Sequence, residues 1–345
     1  MPVSEAVNTR GIRFYYEDTG PPSNATAYTT LLIVHGTSYH SAIFHKLFPY
    51  AASLNLRLVL LNRRDYPGTT PTSQEETARI RSPDVDIQRE ALRDLGLELA
   101  RFVIWYTKVS GIPPISQEDG EKEGGLAVIA WSSGNATCCS MVANLEFLSD
   151  KEQGTMRAYL RTYIIYDSPC YVFGIPPSPS IYDPWLDTSL STSEMKTERF
   201  NTWVTSYYHH PEPSSGEFSG LAEDGIANPS PEKTPTMHRL DVEKLTAPEA
   251  RTRGEGWVQY IDVAVYRENI RKLFSLGHLR RFPRLRIRVV YCRETIPEMV
   301  WGAYRLLYDA EEEGWAREVG LCIMEGNHFA HWDLPQETLQ SWARI

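Results

Sequence analysis

The chain is predicted to be an α/β protein: a mostly parallel sheet, helices on both faces, and one long insertion. Three observations lead there. Short, wholly apolar runs recur along the sequence, as in strands buried on both faces. Proline-free segments with helical spacing of apolar residues lie between them. One stretch rich in Pro, Ser, Glu and Gly, from about Pro176 to Arg280, breaks that rhythm.

The elements follow in order. Arg13–Glu17 reads as an early strand, and Pro21–Thr26 as a turn. Leu31–Val34 and Leu58–Leu61 are the first two apolar strands. Ile87 to Tyr106 carries Ala91, Leu95, Leu97, Leu99, Phe102, Val103 and Trp105 without a proline, which predicts a helix. Leu126–Ala130 is the third strand, followed by a helix over Ala136–Leu148. Tyr163–Tyr166, Ile287–Tyr291 and Val319–Met324 complete the series. The insertion holds aromatic residues at Tyr182, Trp185, Trp203, Tyr207, Tyr208 and Trp257, and its Pro211–Pro235 part is predicted to be a loop. The expected organisation is therefore a core of residues 1–176 and 281–345 carrying an insertion over 177–280.

Composition excludes several classes. Of 345 residues, 42% are hydrophobic and 23% charged, which rules out a disordered, collagen-like or long coiled-coil chain. There is no run of about 18 apolar residues, so no membrane span is expected. Met1-Pro-Val-Ser-Glu5 has no basic segment followed by an apolar one, so no secretory signal is expected. A net charge of −9, from 35 basic and 44 acidic residues, argues against nucleic acid and anionic membrane surfaces as partners. The five cysteines (Cys138, Cys139, Cys170, Cys292 and Cys322) are odd in number and show no CxxC spacing. They read as reduced, buried thiols, and the expected location is cytoplasmic.

The chemistry concentrates in three places. Ala130-Trp131-Ser132-Ser133-Gly134 has a buried strand entering and a helix leaving. Such a turn lifts a nucleophile above the strand ends, and it tolerates only small residues two before and two after, here Ala130 and Gly134. It also aims the Ser133 amide at a developing oxyanion. His35-Gly36-Thr37 follows the first apolar strand; Gly36 allows a sharp backbone turn, and the Thr37 amide is the second oxyanion donor. Gly326-Asn327-His328 follows the last strand and offers a general base and acid. His331 competes for that role; His328 is favoured because it comes first after the glycine turn, while Asp333 reads as a cap of the final helix. Each motif is weak alone, since a serine-rich helix cap or an ordinary turn gives the same letters. His40 with His45, and His209 with His210, have no carboxylate or thiolate at metal-ligand spacing, and no phosphate-binding glycine loop occurs. No metal or cofactor is expected.

In this order (strand-HG, strand-AxSxG, strand-acid, strand-GxH) the motifs resemble the α/β-hydrolase superfamily, over residues 11–176 and 281–345. The segment Asn62-Arg63-Arg64-Asp65-Tyr66-Pro67-Gly68-Thr69-Thr70 is similar to that family's D-x-R-G-x-G-x-S turn, with Tyr-Pro replacing part of it, and its wording is similar to fungal members. The resemblance implies an eight-stranded type of sheet with the insertion as a cap. It implies Ser132 as nucleophile, His328 as base, and Gly36, Thr37 and Ser133 as the oxyanion hole. It gives two positions for the acid. The usual one falls on Thr295, with Glu294 one residue early; the other falls on Asp167. Asp167 is preferred and Glu294 kept as the alternative. Trp131, His35, Trp185, Trp203 and Tyr207 are expected to line a pocket for a small apolar or aromatic substrate. The implied activity is hydrolysis of a carboxylic ester, lactone or thioester through an acyl-enzyme on Ser132. Acyl transfer, macrolactone closure or C–C cleavage would use the same residues, and a non-catalytic binding protein on this fold is the reading of another class.

Overall fold

The structure, a computed structural model, describes residues 2–23, 25–116, 123–176, 181–215, 217–221 and 233–345. Seven strands form one sheet: β1 (Tyr16–Asp18), β2 (Thr29–Val34), β3 (Leu56–Leu61), β4 (Leu126–Trp131), β5 (Leu160–Tyr166), β6 (Arg286–Cys292) and β7 (Gly320–Met324). Their order is β1-β3-β2-β4-β5-β6-β7. β1 is antiparallel to β3, and all other pairs are parallel. The resemblance implied eight strands; the described residues hold seven, with Val3 and Tyr15 joined only by an isolated antiparallel bridge.

Strand alternation sorts side chains into two apolar layers. Leu32, Val34, Val128 and Ala130 point to one layer, Leu31, Ile33, Ile129 and Trp131 to the other. The first layer is covered by the helices Val85–Ser110, Gly134–Ala143 and Val263–Phe274, the second by Ser41–Ala51 and Pro335–Arg344. The sheet is thus buried on both faces, which is why its inner strands read as unbroken apolar runs.

Three elements differ from expectation for visible reasons. The early strand begins at Tyr16 rather than Arg13, because the Arg13 and Tyr15 amides donate to the hydroxyls of Thr70 and Thr69. β3 starts at Leu56 and contains the buried Arg57, whose guanidinium holds both oxygens of Asp18 at 2.9 and 2.6 Å. The helix predicted over Ala136–Leu148 spans Gly134–Ala143. It stops where the Asn144 side chain takes the Ser140 carbonyl at 2.8 Å, and a short 3-10 turn, Leu145–Phe147, follows. Of the expected Pro211–Pro235 loop, residues 216 and 222–232 lie outside the described residues, as do Asn24 in the first turn and residues 177–180 at the expected start of the insertion. The helix Val263–Phe274, within the expected insertion, packs on Gly134–Ala143, where Asn144 donates to Asn269 at 3.1 Å.

The chain steps from β2 outward to β3, then returns to β4 on the other side of β2. Loops leaving the carboxyl ends of β2 and β4 diverge there, at a topological switch point.

Candidate active site

Ser132 follows β4 directly, at that switch point. Its φ is +54°, a left-handed conformation that costs a non-glycine residue about 1–3 kcal/mol. The neighbours impose it. The Ser132 amide donates to Tyr166 O at 3.0 Å, and its carbonyl accepts from the backbone and side-chain nitrogens of Asn135 at 3.1 and 3.0 Å. A β-carbon on Gly134 would lie 2.4 Å from His35 O, so only glycine fits two residues after the serine. Ser132 remains partly open to solvent while the residues around it are buried.

His35-Gly36-Thr37 passes directly beside it. A β-carbon on Gly36 would come within 2.8 Å of Ser132 Cβ. Three donors pull the Gly36 carbonyl to one side: His35 Nδ1 at 2.9 Å, Arg63 Nη2 at 2.9 Å and Tyr66 Oη at 3.4 Å. The peptide is planar and trans, so the Thr37 N–H points the opposite way, away from that cluster. Among the described residues neither the Thr37 nor the Ser133 amide donates to a protein acceptor. Two free N–H groups beside a raised serine are the components of an oxyanion hole.

Asp167 ends β5, also left-handed at φ +48° and fully buried. Its Oδ2 accepts from His328 Nδ1 at 2.5 Å. His328 follows the turn at Gly326 after β7, and its carbonyl accepts from the Trp131 indole at 3.0 Å. Asn327 ties this loop to Thr205 O at 2.7 Å. Histidine, carboxylate and serine thus come from the ends of β7, β5 and β4. Among the described residues no hydrogen bond joins Ser132 Oγ to His328. Glu294, the alternative acid, lies near the surface, where Lys233 holds its two oxygens at 2.7 and 2.6 Å. His331 is buried against Phe44 and Trp131, and burial, then the nearby His328, pushes its pKa well down. Asp333 does not cap the final helix: it accepts from Tyr207, Thr236 and Arg239.

No family model matches the sequence, and no curated protein does. Solved structures do match in shape. A bromoperoxidase from Bacillus anthracis superposes with a TM-score of 0.56 at 8% identity, covering 99% of this chain and 97% of that one. An esterase from Exiguobacterium antarcticum gives 0.53 at 11% identity, with 99% of each chain covered. Est816, an enzyme that degrades N-acyl homoserine lactones, gives 0.53 at 14% identity, with 99% and 100% covered. This chain has the α/β-hydrolase fold. At such identities the likeness is one of fold, and the site must speak for its own chemistry.

On this α/β-hydrolase fold the five residues expected to line a pocket have the following surroundings. Trp131 is 1% exposed and points into the second apolar layer, because alternation along β4 turns it away from the strand end; it braces His328 instead. His35 is fully buried, accepts the Arg63 amide at Nε2 (3.0 Å), and has its pKa pushed well down by burial and then by the Arg63 charge. It organises the turn. Trp203 is buried beside Phe200 and Tyr182. Trp185 stacks under Arg251 at 3.6 Å, and Tyr207 donates to Asp333 at 2.7 Å. No described contact links these three to Ser132.

The sequence reading missed a buried ion pair under the His35–Thr37 turn. Arg63 Nη2 meets Glu255 Oε1 at 2.8 Å, and both residues are buried. Thr37 Oγ1 reaches the same carboxylate at 3.3 Å and Ser133 Oγ at 2.6 Å. Burial opposes the Arg63 charge, but Glu255 outweighs it and holds its pKa above the ordinary value. Arg63 stands in the Asn62–Thr70 turn, whereas Glu255 lies in the expected insertion with no motif around it. Among the described residues no cluster of three or more His, Cys, Asp or Glu side chains could hold a metal, and no helix is long and apolar enough to cross a membrane.

Proposed function

We propose that the protein is a serine hydrolase that forms an acyl-enzyme on Ser132 from a carboxylic ester, lactone or thioester. The hydrogen bond from His328 to Asp167, at the same strand ends as the left-handed Ser132, carries this reading. Serine is a poor nucleophile at neutral pH unless a base takes its proton during attack. His328 supplies the base through Nε2, because Nδ1 is committed to Asp167. The carboxylate fixes that tautomer and stabilises the imidazolium formed. The Thr37 and Ser133 amides take the oxyanion, each worth roughly 3–4 kcal/mol in the transition state. The imidazolium then protonates the leaving oxygen or sulfur, and water activated by His328 releases the acid. The Ser132–His328 bond closes as substrate binds, as catalytic hydrogen bonds often do. An esterase and a lactone-degrading enzyme among the structural neighbours favour acyl chemistry, and the aromatic content of the insertion favours a small apolar substrate.

Fluorophosphonate labelling with mass mapping tests the proposal. One adduct at Ser132 is expected, absent in Ser132→Ala and strongly slowed in His328→Ala. Failure of both a large and a small phosphonate to label the folded protein would sink it and favour a ligand-binding role. Product analysis on ester, lactone and thioester panels then tells hydrolysis from acyl transfer.

A further inference from the structure

Asp167 is held by more than its histidine. Its Oδ1 accepts from the Cys292 amide at 3.0 Å, and its Oδ2 accepts from Thr295 Oγ1 at 2.5 Å as well as from His328 Nδ1 at 2.5 Å. Its own amide donates to Val290 O at 2.7 Å. Thr295 is fully buried and fixed by a turn in which its amide reaches Cys292 O at 3.1 Å and its carbonyl meets His210 Nε2 at 2.8 Å. The next helix, Pro297–Glu312, has Ile296 at its cap and no side-chain cap bond, so the Thr295 hydroxyl is not used there. Its described partner is the carboxylate.

We propose that Thr295 is a positioning residue: its hydroxyl holds the Asp167 carboxylate in the orientation His328 requires and tempers the charge His328 meets. The inference rests on the serine-hydrolase reading above. It gives a role to the residue that occupies the family's usual acid position, where no carboxylate stands. A carboxylate entering in a strained left-handed conformation needs fixed donors to keep one oxygen on the imidazole. Two donors on the same oxygen share its charge. Removing the hydroxyl leaves more negative charge facing His328, which favours the imidazolium and raises the pH at which the base becomes free.

The ionisable groups around the carboxylate are the same in wild type and both Thr295 variants, among them Glu298, which holds the Cys170 amide at 3.2 Å and whose pKa burial raises to about 6, so the limb is read as a difference between variants. Tyr166 on β5, and Tyr291 and Cys292 on β6, face the carboxylate, but burial pushes their pKa values up and keeps them uncharged. His210 of the insertion and His331 after β7 are pushed down by burial and are neutral near pH 7. Glu294 is paired with Lys233.

The test follows the rate of fluorophosphonate labelling at Ser132 between about pH 5 and pH 9 in wild type, Thr295→Val and Thr295→Ser. Valine matches the shape and leaves no buried donor unsatisfied. We expect Thr295→Val to be about tenfold slower on the plateau, the loss of one charge-assisted bond. Its acid limb should move up by roughly half a unit. Thr295→Ser should restore both. A folded Thr295→Val with wild-type rate and limb overturns the inference. So does equal slowing in both variants with an unmoved limb, which is what a packing role alone would give. A second readout does not need activity: the low-field proton signal of His328 Nδ1, identified by its loss in Asp167→Asn. It should shift in Thr295→Val and persist unmoved in Thr295→Ser; an unmoved signal in both overturns the inference. Failure of wild type to label removes the hydrolase reading but leaves this second test standing.

Discussion

Four non-glycine residues with positive φ lie just beyond the carboxyl ends of β2, β3, β4 and β5: Ser38 (+70°), Asp65 (+72°), Ser132 (+54°) and Asp167 (+48°). Each costs about 1–3 kcal/mol and persists only where its surroundings over-determine it. Asp65, for example, is fixed by Thr72 N at 2.7 Å, Thr72 Oγ1 at 2.8 Å and Glu255 N at 2.9 Å. Strain of this kind marks where side chains are aimed. Asp167→Asn should cut kcat by up to about 10⁴-fold with the fold intact, because an amide cannot hold the required histidine tautomer. Glu294→Gln should leave the rate near wild type, since it breaks only a surface pair worth about 0–1 kcal/mol. The reverse result would move the acid to Glu294. Gly36→Ala adds a β-carbon 2.8 Å from Ser132 Cβ, so the loop must retreat. A retreat near 1 Å costs on the order of 100-fold in kcat, read against an unchanged circular dichroism spectrum. The serine was legible in sequence because a strand, a tight turn and a helix surround it in a row. The acid was not, because two strand ends were open to it and only the fold shows which one meets His328.

Between elements, two contacts decide how the first layer closes. The helix Val85–Ser110 crosses Gly134–Ala143 at Gly96, where a β-carbon would sit 2.5 Å from the Met141 backbone nitrogen. No flexible side chain can yield there. Gly96→Ala should therefore destabilise by about 1–3 kcal/mol despite its gain in helix propensity, a result that denaturant melts would show. The second contact is His278 on the helix Leu276–Arg281, whose Nε2 meets Val142 O at 2.9 Å while Nδ1 has no partner among the described residues. Burial, the main cause, pushes its pKa down from 6.5 to about 4. The unfolded chain then takes up a proton that the folded one refuses, so stability falls as pH drops from about 6.5 to 4, by roughly 3 kcal/mol. His278→Gln should flatten that part of the stability–pH curve; an unchanged slope would mean another group carries it. Neither contact has a signature in the sequence, where Gly96 interrupts a helical pattern and His278 stands beside basic residues.

For the molecule as a whole, the sheet was legible because a strand covered on both faces must be apolar throughout, and four such runs occur, in β2, β3, β4 and β5. The parts that escaped depend on partners distant in sequence. Arg57 lies within β3 because Asp18 neutralises it, and the helix Val263–Phe274 sits on the core although its surroundings read as insertion. Glu255 is the extreme case, a charge whose meaning exists only once Arg63 is beneath the His35–Thr37 turn. That pair joins the expected insertion to the turn at Gly36, and the two roles of Arg63 can be separated. Glu255→Gln leaves the guanidinium buried without its counter-charge, so a loss of about 3–5 kcal/mol is expected. The double variant Arg63→Met, Glu255→Leu removes both charges and should recover most of that stability, since apolar side chains replace buried ion pairs at little cost. It should not recover the rate. The Gly36 carbonyl loses the Arg63 donor at 2.9 Å, so the Thr37 amide is no longer aimed, and one misdirected oxyanion donor costs on the order of 100-fold. Thermal melts beside Ser132 labelling rates measure the two quantities on the same samples. A stable double variant that labels like wild type would show that Arg63 serves only to pair Glu255, and that His35 and Tyr66 are enough to hold the loop.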